Sequence, residues 1–324
     1  MMVRSGLTLI VMAGILSGCS GVGSVASPSS VVPQTKKSSG ISFNFQTVDD
    51  PASPTNRVNG IDLLGDIVGT IGNGNAGSPY VSYISQPPYT TFQNETYAGA
   101  KGTVATSISS VAGQTIVAGW VNNPPQLPGV WAFVQINGLW TIFRDRKGGK
   151  GPNSVTEILG VNDAGFAVGY FINSTGNQIP VVITIPTEKF IALKPPPPFT
   201  NAEATGINNF GDITGWEQRA SGTVGFFEQA GKYYTFSYPG AASTYALGIN
   251  SQDQIVGYYV DSSNAKHGFV LTGPKGGGGQ SWQSVDETNG AQGTAIAGIN
   301  DKDSICGYYV DANGAQHGFI ATAN

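Results

Sequence analysis

Two stretches of the chain repeat one phrase: Gly248-Ile249-Asn250-Ser251-Gln252-Asp253-Gln254-Ile255-Val256-Gly257-Tyr258 and Gly298-Ile299-Asn300-Asp301-Lys302-Asp303-Ser304-Ile305-Cys306-Gly307-Tyr308. Looser copies precede them, so that the phrase occurs six times, at 60–69, 110–119, 160–169, 206–215, 248–257 and 298–307. The copy at 110–119 is the most degenerate. Because the copies start 42 to 50 residues apart, they indicate a repeat architecture.

Each phrase is typical of two short strands joined by a tight turn. The first strand ends at an asparagine such as Asn250, whose side chain can bond the backbone two residues further on and start a turn. The second strand carries a closing glycine, here Gly257, that is present in all six copies. A glycine inside a strand predicts a close backbone approach or a β-bulge. The aromatic residue that follows it in five copies is expected to fill space against a neighbouring sheet.

Further strands are predicted after each phrase. The expected third strands are 80–84, 130–135, 180–185, 224–228, 267–272 and 317–322. The expected fourth strands are 89–92, 139–143, 190–193, 233–236 and 282–285. Four short antiparallel strands per repeat, six times over and with no helical periodicity between them, predict an all-β fold, a six-bladed β-propeller.

The two ends of the sequence predict how the propeller closes. The last repeat has no fourth strand after residues 317–322, whereas the segment 45–50 near the N-terminus looks like the segment 282–287. We therefore expect residues 43–48 to pair with 317–322 and to complete the last blade. The propeller domain is assigned to residues 41–324.

The last two repeats resemble a known repeat type. The pattern Gly-Ile-Asn-x-x-x-x-Ile-x-Gly-Tyr-Tyr-x-Asp followed by His-Gly-Phe is clearest at 248–269 and 298–319. It is similar to the HAF-type repeat of bacterial extracellular proteins, and the resemblance covers residues 43–324. It implies an exported, propeller-like protein, and it implies neither a particular activity nor a cofactor.

The N-terminus predicts export and attachment of lipid. Arg4 precedes an apolar run at 7–16 that is too short to span a bilayer stably but suits a signal peptide. The run ends in Leu-Ser-Gly-Cys at 16–19, which resembles the bacterial lipobox. Residues 1–18 are therefore assigned as a lipoprotein signal peptide, and an ordinary signal peptide with a chance cysteine is the alternative. Stable anchoring needs two or more acyl chains, and the resemblance implies three on Cys19.

The segment 19–40 is predicted to be the lipidated cysteine followed by a flexible tether. It is rich in serine, glycine, valine and proline and has no helical or alternating periodicity. Ser20 stands where an aspartate would resemble an inner-membrane retention signal. The expected location is therefore the outer membrane or the cell surface, with the membrane as a partner through the lipid anchor.

The composition restricts the classes of function. Charged residues make up 11% of the chain and the net charge is −4, which argues against binding to nucleic acid. The sequence contains 46 glycines, as short strands joined by tight turns require. Only two cysteines occur, and because lipid would occupy Cys19, no disulfide is predicted. No cofactor is predicted, and a monomer is expected.

Few residues are candidates for chemistry. The two histidines, His267 and His317, occupy a position that is mostly apolar in the other repeats, so a packing role is favoured over a metal or catalytic role. The residues aligned with them are Val81, Trp131, Val181 and Val224. Asp261 and Asp311 fit hairpin turns better than a calcium loop, because no acidic residue closes such a loop downstream. Cys306 replaces valine or threonine inside a strand and is predicted to be a buried filler.

One loop concentrates basic residues and is a candidate for a binding rim. Blade-to-blade loops leave the same face of a propeller as the loops between second and third strands, and variable loops on a rigid scaffold usually carry recognition. The basic residues are Arg144, Arg146, Lys147 and Lys150. They are either a solvated loop or a rim that binds an anionic glycan or an acidic protein patch, in which case salt should weaken binding.

Three functions remain open at this stage. The first is a lipid-anchored binding or scaffolding module that presents one face to an envelope protein or a glycan. The second is a polysaccharide-active enzyme, a glycoside hydrolase or lyase on a propeller scaffold. The third is a structural part of an envelope-assembly complex. Because no pair of carboxylates or metal-ligand cluster is visible in the sequence, no catalytic residue and no metal ligand are assigned, and the first function is favoured.

Overall fold

The computed structural model describes residues 40–74, 79–149, 151–195, 197, 199–276 and 279–324. In this part of the chain, 24 strands form six antiparallel sheets of four strands each. The sheets are the blades of a six-bladed β-propeller, and the predicted fold class is confirmed. The described residues contain no helix that is long and apolar enough to cross a membrane.

The strands follow the chain blade by blade, after β1 at Phe43–Val48. Blade 1 consists of β2 Asn56–Ile61, β3 Ile67–Ile71, β4 Val81–Ser85 and β5 Gln93–Asn94. Blade 2 consists of β6 Gly102–Val111, β7 Gln114–Asn122, β8 Val130–Ile136 and β9 Leu139–Phe143. Blade 3 consists of β10 Thr156–Val161, β11 Phe166–Ile172, β12 Gln178–Thr184 and β13 Lys189–Ala192. Blade 4 consists of β14 Ala202–Ile207, β15 Ile213–Arg219, β16 Gly222–Gln229 and β17 Lys232–Phe236. Blade 5 consists of β18 Ser243–Ile249, β19 Ile255–Val260, β20 Lys266–Thr272 and β21 Ser281–Val285. Blade 6 consists of β22 Gly293–Ile299, β23 Ile305–Val310, β24 Gln316–Ala323 and β1. Two short 3-10 helices span Arg146–Gly148 and Ile185–Thr187.

The ring closes through β1, as expected. β1 is the outer strand of blade 6 and pairs with β24 from Phe43 opposite Ala323 to Val48 opposite Gly318. The pairing is offset by one residue from the predicted one. Val48 is buried, and the rings of Phe45 and Phe319 lie 5.2 Å apart.

Blade 1 differs from the prediction in its fourth strand. The strand is Gln93–Asn94 rather than 89–92. Pro87 and Pro88 have no amide hydrogen to donate to a ladder, and Tyr89 adopts a positive φ of 61°. The hydroxyl of Tyr89 instead donates a hydrogen bond to the carbonyl oxygen of Gly65 at 2.8 Å.

The degenerate phrase in blade 2 begins three residues earlier than its sequence alignment suggests. Ser107 lies opposite Ala118 in the ladder, as Gly60 lies opposite Val68 in blade 1. The hairpin of blade 2 then continues to Val111. Because the hairpin of blade 2 is longer, more residues separate the two ends of the phrase there than in the other blades.

The asparagine of the phrase makes the predicted turn and also contacts the next blade. In blade 4, Oδ1 of Asn208 accepts hydrogen bonds from the amides of Phe210 and Asp212 at 3.0 and 2.9 Å. Its Nδ2 donates to the carbonyl oxygen of Asn250 in blade 5 at 3.2 Å. Asn162, Asn250 and Asn300 repeat this arrangement, and the last of them reaches Asp62 of blade 1.

The closing glycine packs against the backbone of the first strand. A Cβ atom on Gly257 would lie 1.9 Å from the carbonyl oxygen of Tyr245. The ladder shifts register opposite this glycine, between Ala246 and Gly248, which is a β-bulge. All six blades repeat the shift at the same place. Both structural expectations for this glycine, close approach and a neighbouring bulge, are therefore confirmed.

The apolar core lies between neighbouring blades and stops at the central channel. One cluster joins Phe227 of blade 4 to Ala246 and Phe269 of blade 5. Towards the axis, the first strands approach so closely that a Cβ on Gly206 would lie 3.1 Å from Cα of Gly248. The first glycine of the phrase is therefore the residue that lets these strands surround a narrow channel.

Candidate functional site

The first strands of the six blades line a channel along the axis of the propeller. All six begin at one mouth of the channel and end at the other, where each turns into the second strand of its blade. The bulged residue of each first strand faces the channel. These residues are Asn59, Thr106, Leu159, Thr205, Leu247 and Ala297.

A cavity of about 320 Å³ opens at the mouth where the first strands begin, and we call it the aromatic mouth. Its walls contain Arg57, Tyr80, Trp120, Glu203 and Tyr308. Its floor is formed by the bulged residues. Apolar and aromatic walls with a few polar groups are typical of small-molecule sites.

The aromatic residues that follow the closing glycines lie opposite the beginnings of the first strands, at the end of the blades where this mouth opens. Trp216 of blade 4 packs edge-on against Tyr245 of blade 5, with ring centroids 5.6 Å apart. This contact is the packing against a neighbouring sheet that was expected. Trp120 and Tyr308 also form cavity wall, and this second role was not anticipated from the sequence.

Two basic side chains lie over the tyrosines on one side of the mouth. Nζ of Lys266 lies 4.6 Å from the ring centroid of Tyr258 and donates a hydrogen bond to the hydroxyl of Tyr308 at 3.0 Å. The guanidinium of Arg57 lies 4.9 Å from the ring centroid of Tyr308. Through these cation–π contacts, the positive charges of Lys266 and Arg57 lie on the side of the mouth that blades 5, 6 and 1 form.

Glu203 of blade 4 lines the other side of the mouth, and Glu157 of blade 3 lies close to it. Burial raises the pKa of Glu157 to about 7. Burial and the nearby Glu157 carboxylate raise the pKa of Glu203 to about 8. Gln178 Nε2 donates to Glu203 Oε1 at 2.6 Å, and Tyr170 hydrogen-bonds Glu157. Both carboxyl groups can therefore exchange a proton near neutral pH.

Sequence reasoning missed this carboxylate pair, although a signal for it exists. Glu157 and Glu203 both stand three residues before the first glycine of their phrases, and the structure places Arg57 at the same position in blade 1. An alignment of the residues before each phrase, rather than of the phrases themselves, would have brought them together.

The predicted basic rim lies on the face of the aromatic mouth, because its loop leads into β10. The guanidinium of Arg144 lies 4.2 Å from the ring centroid of Trp131, and its Nη1 donates to Ser154 Oγ at 2.5 Å. Arg146 and Lys147 are exposed on the first 3-10 helix. Lys150 lies outside the described residues. Among the described residues of this basic rim, Arg146 and Lys147 are therefore the two whose exposed side chains can contact a partner.

Each histidine lies between two aspartates and stacks on a tyrosine. Nδ1 of His317 lies 2.6 Å from Oδ2 of Asp49, and Nε2 lies 3.7 Å from Oδ2 of Asp311. The imidazole stacks on Tyr309, with ring centroids 5.0 Å apart. Packing of the ring agrees with the expectation, whereas the hydrogen bond to Asp49 was not anticipated. His267 repeats the arrangement with Asp286. In blade 3 the aligned residue is Ile179 rather than Val181.

The stability of the closed ring is expected to depend on the protonation of His317. The hydrogen bond to Asp49 raises the pKa of His317 above its ordinary value, and the charges of Asp49 and Asp311 act in the same direction. His317 therefore stabilises the fold most below the unfolded-state pKa of about 6.5, and this contribution is lost as the pH rises through the folded-state pKa.

Substituting His317→Gln should accordingly lower the melting temperature more at about pH 5.5 than at about pH 8. Thermal unfolding followed by circular dichroism at both values measures the difference. Asp49→Asn should show the same pH dependence, because it removes the partner carboxylate. A His317→Gln effect of the same size at both pH values would contradict this assignment.

The remaining candidate residues have structural roles. Asp261 and Asp311 each accept hydrogen bonds from two amides of their own hairpin turn, as predicted. Cys306 is fully buried, and burial raises the pKa of its thiol. Among the described residues, no three His, Cys, Asp or Glu side chains are grouped so as to hold a metal ion. The signal peptide, Cys19 and the tether up to residue 39 lie outside the described residues.

Comparisons with known proteins find similarity at the level of the fold. No protein family model matches the chain, and no curated protein matches it. A protein of unknown function from Dyadobacter fermentans aligns with a TM-score of 0.55 and 11% identity, over 87% of this chain and 99% of its own. A triple arginine-to-alanine variant of AofleA from Arthrobotrys oligospora aligns with a TM-score of 0.52 and 10% identity, over 88% of each chain. An asparagine-to-glutamine variant of Aleuria aurantia lectin in complex with alpha-methyl-L-fucoside aligns with a TM-score of 0.49 and 11% identity, over 82% of this chain and 90% of its own. The chain is thus similar to known propeller structures in fold.

Proposed function

We propose that this protein is a lipid-anchored saccharide-binding module of the bacterial envelope, with the aromatic mouth as its binding site. The observation that supports the site is a preformed cavity that combines Trp120 and Tyr308 with polar side chains on opposite walls. Aromatic rings stack on the apolar faces of sugar rings, and polar groups beside them hydrogen-bond the hydroxyls. The signal peptide and the lipobox-like cysteine support the location.

Loss of Trp120 should weaken saccharide binding by about tenfold or more, which corresponds to ~1.4 kcal/mol of lost stacking. The full-length protein in detergent is titrated with oligosaccharides from envelope and plant-type glycans, and binding is measured by calorimetry. Trp120→Ala is compared with Phe210→Ala, because Phe210 is an exposed aromatic residue on a turn at the opposite mouth. Equal losses in the two variants would remove the aromatic mouth from the binding site.

The same titration tests the basic rim. Replacing Arg146 and Lys147 with serine leaves the contacts of Arg144 with Trp131 intact. If the rim binds an anionic glycan, this variant should bind more weakly than wild type at low salt and equally at high salt.

The anchor has its own test. We expect Cys19→Ala to release the protein from membranes or to leave the precursor unprocessed, because a lipid anchor requires the cysteine thiol. Membrane fractionation measures this, and Ser20→Ala serves as the matched control that keeps anchoring. A Cys19→Ala protein that stayed processed and needed detergent for extraction would refute the lipobox assignment.

A glycoside hydrolase or lyase is the second candidate, and the carboxylate pair favours it. Glycoside hydrolysis uses two carboxyl groups, one of which is kept protonated near neutral pH. Glu203, with a pKa of about 8, has the property expected of such an acid. Release of reducing ends from a bound oligosaccharide, abolished by Glu203→Gln, would establish this activity. Binding without turnover would favour the binding module.

A further inference from the structure

We propose that the aromatic mouth selects saccharides that carry a primary ammonium group, and that Glu203 and Glu157 receive this group. The proposal rests on the saccharide-binding function proposed above and names the class of sugar: a glycan containing free amino sugars.

Glu203 lines a cavity whose other walls carry Tyr80, Trp120 and Tyr308, and Glu157 lies close enough to raise its pKa. Within the described residues, neither carboxylate forms an ion pair with a lysine or an arginine. The lysine and arginine ion pairs in this part of the chain join Arg219 to Glu217 and Lys275 to Asp253. The groups that contact Glu203 are the amide of Gln178 and the indole of Trp216, and both are neutral. A ligand that brings a positive charge would therefore supply the missing partner.

The raised pKa values of Glu157 and Glu203 also agree with a missing cationic partner. Burial raises the pKa of both glutamates because their ionised forms lack solvation and a counter-ion. An ammonium group placed beside them would favour the ionised forms and lower both pKa values. The site should therefore release protons when such a ligand binds near neutral pH.

Aromatic rings adjoin both carboxylates. Trp216 lies directly across the ladder from Glu203, and Tyr170 lies directly across from Glu157. The indole of Trp216 and the phenol of Tyr170 hydrogen-bond these carboxylates, so their polar edges are turned to the glutamates. The aromatic surface in the cavity wall beside Glu203 is that of Tyr80, Trp120 and Tyr308, and aromatic rings attract cations.

The opposite wall sets the orientation of the ligand. Arg57 and Lys266 lie there, each over a tyrosine ring. Their charges disfavour an ammonium group on that side, whereas both can donate hydrogen bonds to sugar hydroxyls. An amino sugar should therefore bind with its nitrogen towards blades 3 and 4 and its hydroxyls towards blades 6 and 1.

The test compares three tetrasaccharides that share one β-1,4-linked backbone and differ at carbon 2: the glucosamine, the N-acetylglucosamine and the glucose tetramer. Each is titrated into the full-length protein in detergent at about pH 6, where the amine of the glucosamine tetramer already carries its proton and the two glutamates are still largely protonated, in two buffers of different ionisation enthalpy. We expect the glucosamine form to bind about tenfold more tightly than the other two, with release of protons from the protein.

The variant Glu203→Gln should abolish this preference, so that the three tetramers bind it with affinities within about twofold of one another. Glu188→Gln removes an exposed carboxylate at the other end of blade 3 and should change nothing, so it controls for net charge. Equal affinity for the three tetramers, or a preference that survives in Glu203→Gln, overturns the ammonium proposal while saccharide binding stands. If neither the three tetramers nor the other oligosaccharides bind, the saccharide-binding function itself is overturned, and the ammonium proposal falls with it.

Discussion

Deleting residues 41–49 should lower the free energy of unfolding by roughly 5 kcal/mol, because β1 contributes the buried Val48, the half-buried Phe43 and Phe45 and its hydrogen-bonded ladder with β24, and a fully buried apolar side chain alone contributes ~1.5–3 kcal/mol. Val48 is 2% exposed, and Phe45 packs on Phe319. The deletion also removes the hydrogen bonds of Asp49 to His317 and to the amide of Gly318. β24 would become an unpaired edge strand, which exposes the protein to aggregation.

Chemical denaturation of the deleted chain, compared with wild type, measures this loss. Deletion of residues 20–38 is the matched control, since this segment is predicted to be tether. It should leave the denaturation midpoint unchanged. If both deletions gave the wild-type midpoint, β1 would not be the strand that closes the ring.

Substituting Gly257→Ala should destabilise the protein by about 3 kcal/mol or more, at the upper end of overpacking effects. The new Cβ would lie 1.9 Å from the carbonyl oxygen of Tyr245, a backbone atom that cannot move aside without disturbing the bulge of blade 5. The melting temperature is expected to fall by roughly 5 °C or more.

Gly102→Ala is the control for this substitution. Gly102 also lies in a strand, and a Cβ there would meet its nearest atoms at 3.7 Å, which is ordinary contact. Its change in the free energy of unfolding should stay within about 0.5 kcal/mol. Similar melting temperatures for Gly257→Ala and Gly102→Ala would show that the blade tolerates a side chain at the closing glycine.

The fold could be predicted from the sequence because the positions that determine it accept few residue types. Gly257 and its equivalents lie against backbone, where any Cβ collides. Asn208 and its equivalents close a turn with Oδ1 and reach the next blade with Nδ2, and aspartate or serine can do only part of this. The constraint on the closing glycine recurs in each blade and the asparagine recurs in blades 3 to 6, so the sequence repeats.

The aromatic mouth was not predictable in the same way, because its residues are not constrained by the fold. The position three residues before the phrase glycine holds Arg57 in blade 1, Glu157 in blade 3 and Tyr245 in blade 5. Glu157 and Glu203 are 46 residues apart in sequence and meet only because the ring places blades 3 and 4 side by side. The fourth strand of blade 1 was misplaced for a local reason, since Pro87 and Pro88 directly before the predicted strand cannot donate to a ladder and Tyr89 has a positive φ.

The bulge in each first strand makes this scaffold suitable for directed evolution. The bulge adds one residue per blade whose side chain faces the channel. These six equivalent positions hold four different residue types in this sequence. Thr205 donates to a carbonyl of the next blade, whereas Leu247 and Ala297 have no hydroxyl or amide to donate, and their blades keep the same register. A combinatorial library at these six sites would therefore vary the channel lining independently of the glycines and asparagines on which the blades depend.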